Sequence, residues 1–201
     1  MRKSRIAAIA LAMLLIGVPV FAQVSFFINA QLPAASSATF TVSKVLVGPP
    51  LVFQVQPPGS VNLNFGTLAF NAVNGIFVTS PAHFWVIDVG SNGAGMPDIL
   101  ANYVDTGKPA AQVAGLGARA TFNHAEITGP TGSQVTNDLG TRALASVTNL
   151  SIPETDFSDG FLRVSVGLAT GLPIIAGATP FTALDQPGAY TGTLTLTATF
   201  D

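Results

Sequence analysis

The chain has 201 residues, 48% of them hydrophobic and only 9% charged, enough to bury one sizeable core and too short for more than two domains. It has no cysteine, which excludes disulfide staples, thiol nucleophiles and thiolate metal sites. Its formal net charge is −2, falling to −5 without Arg2, Lys3 and Arg5, and the latter argues against nucleic acid and anionic membrane surfaces as partners.

Arg2, Lys3 and Arg5 precede an apolar stretch from Ile6 to Val18, and Val20-Phe21-Ala22 has the small-residue form of a cleavage site. Residues 1–22 therefore read as a secretory signal peptide, with the mature chain starting at Gln23. The competing reading is an uncleaved membrane anchor, but the apolar run is shorter than the roughly 20 residues a span needs. With no Cys after it, a lipoprotein anchor is excluded. Cleavage would leave five basic against ten acidic residues, a net charge of −5. The expected address is secreted or cell-surface, with no span left in the mature chain.

Val24, Phe26, Ile28, Ala30 and Leu32 share one face of a period-two pattern, with Ser25, Asn29 and Gln31 opposite and Phe27 the exception. Pro33 to Ser37 breaks the pattern with small residues. Residues 23–36 thus read as an N-terminal strand and linker, and 37–201 as the β-domain. Thr39 to Val47 and Leu51 to Gln56 read as strands ended by Gly48-Pro49-Pro50 and Pro57-Pro58-Gly59. Val61, Leu63 and Phe65 alternate with asparagines up to Gly66, a predicted bulge or turn. Asn74-Gly75 predicts a hairpin between Phe70 and Phe77.

His83 to Val89 is nearly continuous apolar sequence, as expected of a central strand covered on both faces. Gly90 to Gly95 is a loop, Ile99 to Val104 a strand, Thr106 to Gly117 loop-rich, and Ala118 to Ile127 a strand. Residues 139–152 fit a short helix or a strand equally. Leu162, Val164, Val166 and Leu168 alternate once more, and Gly171 to Pro187 is a loop. The closing stretch is the most regular. Tyr190, Leu194, Leu196, Ala198 and Phe200 point one way, and Thr191, Thr193, Thr195, Thr197 and Thr199 the other. It reads as an edge or near-edge strand whose apolar face closes the core. About eight to ten short strands without a long helix predict an all-β fold, a single antiparallel β-sandwich of immunoglobulin-like or jelly-roll-like form.

No active site assembles from these residues, and the protein is expected not to be an enzyme. His83 and His124 each stand alone, without a second ligand at metal spacing. Glu154, Asp156 and Asp159 offer oxygens that suit Ca²⁺, yet no Glu closes the loop, and a solvated loop is preferred. Asp88 and Asp98 bracket the Gly90–Gly95 loop, where paired carboxylates would suit glycoside hydrolysis, but strand-end placement accounts for Asp88. Gly90 to Gly95 lacks the Lys-Ser/Thr ending of a phosphate loop, and there is no Gly-x-Ser-x-Gly elbow. Asn149-Leu150-Ser151 fits a glycosylation sequon. Trp85, Tyr103 and Tyr190 would stack on sugar rings if exposed, although core burial suits Trp85 better. No cofactor is expected.

The ending Pro187-Gly188-Ala189-Tyr190-Thr191-Gly192-Thr193-Leu194-Thr195-Leu196 resembles the closing strand of secreted surface and pilus subunits. These include the spore-coat-U-like proteins, chaperone–usher pilins, WxL domains, TasA-like proteins and archaeal bundling-pilus subunits. The absence of Cys departs from the chaperone–usher pilins, and the WxL tryptophan motif is missing, which leaves the TasA-like group more compatible. The resemblance implies a structural or surface protein, a filament or biofilm-matrix subunit whose N-terminal strand completes the sheet of the next copy. Partners would then be the protein itself or other surface proteins. An isolated strand like Val24 to Leu32 has to pair with something. Pairing in trans makes an open filament; pairing in cis makes it the first strand of a monomer. A carbohydrate- or ligand-binding module using exposed aromatics and the Gly90–Gly95 and Thr106–Gly117 loops is the rival expectation.

Overall fold

The structure, a computed structural model, describes residues 20–32, 46–47, 52–53, 59–79, 83–89, 97–129, 134–157, 161–172 and 174–200. Most of the segment expected to be a signal peptide, the expected linker after Leu32 and the expected Gly90–Gly95 loop lie outside the described residues. The strands are β1 (Val20–Leu32), β2 (Leu46–Val47), β3 (Val52–Phe53), β4 (Gly59–Thr67), β5 (Ala69–Asn71), β6 (Ile76–Val78) and β7 (His83–Val89). They continue with β8 (Asp98–Gly107), β9 (Ala120–Ile127), β10 (Val135–Ala143), β11 (Leu150–Ile152), β12 (Phe161–Leu168), β13 (Phe181–Thr182) and β14 (Gly188–Phe200). Single 3-10 turns occupy Leu116–Ala118, Leu144–Ser146 and Glu154–Asp156. Residues 139–152 are therefore part strand and part 3-10 turn. Among the described residues no helix is long and apolar enough to cross a membrane.

The fold is all-β. A five-stranded sheet has the order β11-β8-β14-β1-β4, and a larger sheet runs β10-β9-β12-β7-β2 with β3 also on β7. A third, small sheet is β13-β6-β5. The first two draw on one hydrophobic cluster: Phe26, Ile28, Leu194 and Leu196 from one, Ile87, Phe122, Leu162 and Val164 from the other. Alternation explains the sidedness. Every second residue of β14 from Tyr190 to Ala198 is buried, while the intervening threonines are half-buried.

Two expectations are corrected. The closing strand is not at or next to an edge: β14 is the third of five, hydrogen-bonded to β8 and β1 on its two sides. Nor is the pairing purely antiparallel, because β1–β4, β2–β7 and β3–β7 are parallel. Parallel neighbours need a long crossover. The chain supplies one by passing from β1 through β2 and β3, in the other sheet, before returning as β4.

Local signals explain the turns. Asn71 Oδ1 accepts the amides of Val73 (3.0 Å) and Asn74 (3.3 Å), and Gly75 takes φ 69°, closing the β5–β6 hairpin. At Gly66, φ 68°, the amide is held by Asn64 Oδ1 at 2.7 Å, and the β1–β4 register shifts there.

Candidate assembly site

The candidate site is the N-terminal strand and its seat. β1 lies between β14 and β4. It pairs antiparallel with β14 from Val20↔Phe200 to Leu32↔Gly188, and parallel with β4 from Val24↔Gly59 to Gln31↔Thr67. Phe26, Ile28, Ala30 and Leu32 are each 2% exposed or less. Tyr190, Leu194, Leu196 and Ala198 are fully buried beside them. Val24 and Phe200 take part in the ladder, Val24 opposite Leu196 and Phe200 opposite Val20. Each large apolar side chain seated this way contributes about 1.5–3 kcal/mol.

The first and last described strands therefore form one ladder within a single chain, and in this structure the candidate donor strand pairs with its own chain's β14. β1 begins at Val20, three residues before the expected mature start. Cleavage after Ala22 would remove the Val20–Phe200, Phe21–Thr199 and Ala22–Ala198 pairings and leave Gln23–Leu32 in place. On the outer side, Ser25 Oγ lies 3.5 Å from Thr195 Oγ1.

The aromatic residues divide. Tyr103 and Tyr190 are buried and offer no face to a sugar. Tyr103 donates to Asp105 Oδ1 at 2.8 Å, and the same oxygen accepts the Gly117 amide at 2.9 Å. Burial first, and Asp105 second, raise the Tyr103 phenol far above its ordinary value. Tyr190 donates to the Gln186 carbonyl at 2.7 Å, and burial with Asp185 nearby pushes it up to about 12. Trp85 is half-buried against the core. Among the described residues the rings left open are Phe27 and Phe84.

The other candidates stay apart. Asp88, on β7, is fully buried and receives two bonds from Arg163, 2.7 Å from Nε and 2.9 Å from Nη2. Asp98 begins β8 in the other sheet and accepts the Glu154 amide at 2.8 Å. Glu154 and Asp156 sit exposed on a 3-10 turn, and Asp159 lies outside the described residues. Among the described residues no three His, Asp or Glu side chains gather as metal ligands. His83 opens β7. His124 is buried on β9, its Nδ1 donating to the Gly140 carbonyl at 3.1 Å. Burial, then Arg142, lowers its pKa. Asn149 of the sequon is exposed with φ 48°, its amide on Asn102 Oδ1 at 3.3 Å.

Sequence reasoning missed a polar hub. Arg119 bonds to Asp185 at 2.6 Å, to the Pro180 carbonyl at 3.1 Å and to the Thr179 hydroxyl. Asp185 also accepts Gln112 Nε2 at 2.7 Å and the Thr182 amide at 2.8 Å. Gln112 Oε1 in turn accepts the Gln186 amide at 3.0 Å. The hub ties the loop after β8 to the two loops before β14. Its members lie 66 and 73 positions apart, and no short motif carries such a signal.

No protein-family model, characterised protein or solved structure matches this chain.

Proposed function

We propose that the protein is a secreted, non-enzymatic structural protein, a single β-sandwich that builds a surface filament by donating β1 to the next copy. The observation that carries this reading is the place of β1. A terminal strand fills a slot between two others with four fully buried side chains, and residues 33–45 tether it to β2. Fully extended, such a tether spans roughly 45 Å. The contacts of β1 are the same whether its own chain or a neighbour supplies it, so exchange costs little contact energy. The outcome is then set by tether reach and effective concentration. Head-to-tail exchange does not close on itself and yields a filament. The sugar-binding alternative loses Tyr103 and Tyr190, which are buried, as platforms.

The test uses the chain from Gln23 with Ser25→Cys and Thr195→Cys, a cross-strand pair in a chain without other thiols. Oxidation joins β1 to whichever β14 it pairs with. A ladder of covalent multimers on a non-reducing denaturing gel, matching filaments in negative stain, is expected. A single monomer band at concentrations where the reduced protein also stays monomeric would refute strand donation.

A further inference from the structure

The β5–β6 hairpin carries two asparagines in opposite circumstances. Asn71 is half-buried, and its Oδ1 is committed to the amides of Val73 and Asn74. Asn74 is exposed at the tip, and among the described residues its carboxamide has no hydrogen-bond partner. Asn71 is followed by Ala72, whose Cβ crowds the intervening amide nitrogen. Asn74 is followed by Gly75, which has no Cβ. The space where a Gly75 Cβ would sit is open, with nothing within 4 Å. A free carboxamide therefore stands next to an unshielded amide nitrogen. One contact holds that nitrogen back: the Gly75 N–H donates to the Asn71 carbonyl at 2.8 Å.

We propose that Asn74 is a self-modification site, where the carboxamide closes onto the Gly75 nitrogen and the residue is converted to aspartate and isoaspartate. The Gly75 nitrogen loses its proton to hydroxide or buffer base and attacks Asn74 Cγ. The Cγ–Nδ2 bond breaks, and Nδ2 takes up a proton and leaves as ammonia. The product is a succinimide ring. Water then opens either of its two carbonyls, giving the aspartyl or the isoaspartyl form, and neither oxidant nor enzyme is needed. The hairpin sets the rate. While the Gly75 N–H stays on the Asn71 carbonyl its nitrogen is held from attack, so the reaction runs through the opened turn. Both products place a carboxylate at the tip. The isoaspartyl form also adds a carbon to the main chain, in a turn that relies on Gly75 at φ 69°. That turn aligns Phe70 with Phe77, ring centroids 5.1 Å apart, and β6 with β13. The conversion thus acts as a clock on the small third sheet, and it stands independently of strand donation.

The test is incubation of the chain from Gln23 in mildly alkaline buffer, followed by peptide mapping by mass with the isoaspartyl peptides separated by chromatography. Progressive exchange of ammonia for water is expected at Asn74, with isoaspartyl product present, and none at Asn71. Asn71→Ala removes the two side-chain bonds that tighten the turn and should speed conversion at Asn74 about tenfold. Asn74→Gln, which would have to close a larger ring, should abolish conversion at that position. The other Asn-Gly pair, Asn92-Gly93, lies outside the described residues and is read as a separate peptide. An unchanged Asn74 peptide in the Asn71→Ala protein would overturn the proposal. So would equal conversion at Asn71 and Asn74, or aspartyl product without isoaspartyl, the mark of direct side-chain hydrolysis. A rate in Asn71→Ala no faster than in the parent chain would overturn the hairpin's control of the reaction.

Discussion

The two large sheets share a core and differ in what they keep on their outer faces. The six-stranded sheet places charge there: Asp88, fully buried, is clamped by Arg163, 17% exposed, across β7 and β12. Its edge strand β10 is broken by two register shifts and a Gly140 at φ 119°, features that discourage a further strand. The five-stranded sheet has no such ion pair among its described residues, and its register shifts fall in the β1–β4 and β14–β8 pairings rather than on an isolated edge. It holds the first and last described strands, β1 and β14, neither of which carries a charged residue. Ionic clamping and edge irregularity isolate one sheet, while the other is closed by the N-terminal strand.

The comparison breaks most sharply at β1. Phe26→Ala removes a ring that is 1% exposed from the strand that fills the slot between β14 and β4. Loss of about 3–5 kcal/mol is expected, read from urea melts. A loss under about 1 kcal/mol would mean that β1 does not occupy this slot in solution.

The outer face of the six-stranded sheet comes next. Arg163→Ala leaves the Asp88 carboxylate buried without its two guanidinium bonds. Removing one partner of a buried pair costs about 3 kcal/mol. Replacing both, as Asp88→Leu with Arg163→Met, should recover most of that loss. A double variant as weak as the single one would show that Asp88 serves other contacts more than it serves Arg163.

A smaller effect sits at the heart of the five-stranded sheet. Gly192 occupies an inward position of β14, and a Cβ there would overlap the Tyr103 ring. Gly192→Ala should therefore cost about 1–3 kcal/mol through overpacking. Adding Tyr103→Leu should relieve it, since the ring that needs the space is gone. Additive losses would place the strain elsewhere.

Long period-two runs were legible because each residue's burial depends on its immediate neighbours: Phe26 to Leu32, Leu162 to Val166 and Tyr190 to Ala198 all have their alternate residues inside. The Asn74-Gly75 hairpin and the Gly66 bulge were legible for the same local reason. Strands of two or three residues, such as β2, β5 and β13, are too short to carry a period and were merged into longer runs or loops. The central place of β14 was hidden, since alternation says which side is buried and not how many neighbours a strand has. The Asp88–Arg163 clamp joins residues 75 positions apart, and only the meeting of β7 with β12 creates it. Gly192 interrupts the apolar series of β14, and its reason is Tyr103 on the neighbouring strand.

The mildest expected difference between the sheets is in pH. His124 belongs to the six-stranded sheet, and burial and Arg142 lower its pKa below 6.5, partly offset by the Gly140 carbonyl, Asp138 and Asp156. With the folded value depressed, the unfolded chain takes up the proton first. This contribution is therefore complete above pH 6.5 and declines as pH falls towards the folded value. Tyr103 and Tyr190 belong to the five-stranded sheet, and burial raises both phenols above 10.0, Tyr190 to about 12. Here the unfolded chain loses protons first, so stability is complete below pH 10.0 and declines as pH rises from there towards about 12. Thermal melts across pH should show two separable arms. His124→Gln should flatten the acid arm and leave the alkaline arm unchanged, and Tyr103→Phe should do the reverse. If His124→Gln keeps the acid slope between pH 6.5 and its lower limit, the acid sensitivity arises from the carboxylates instead. The two sheets would then differ in charge placement alone and not in their response to protons.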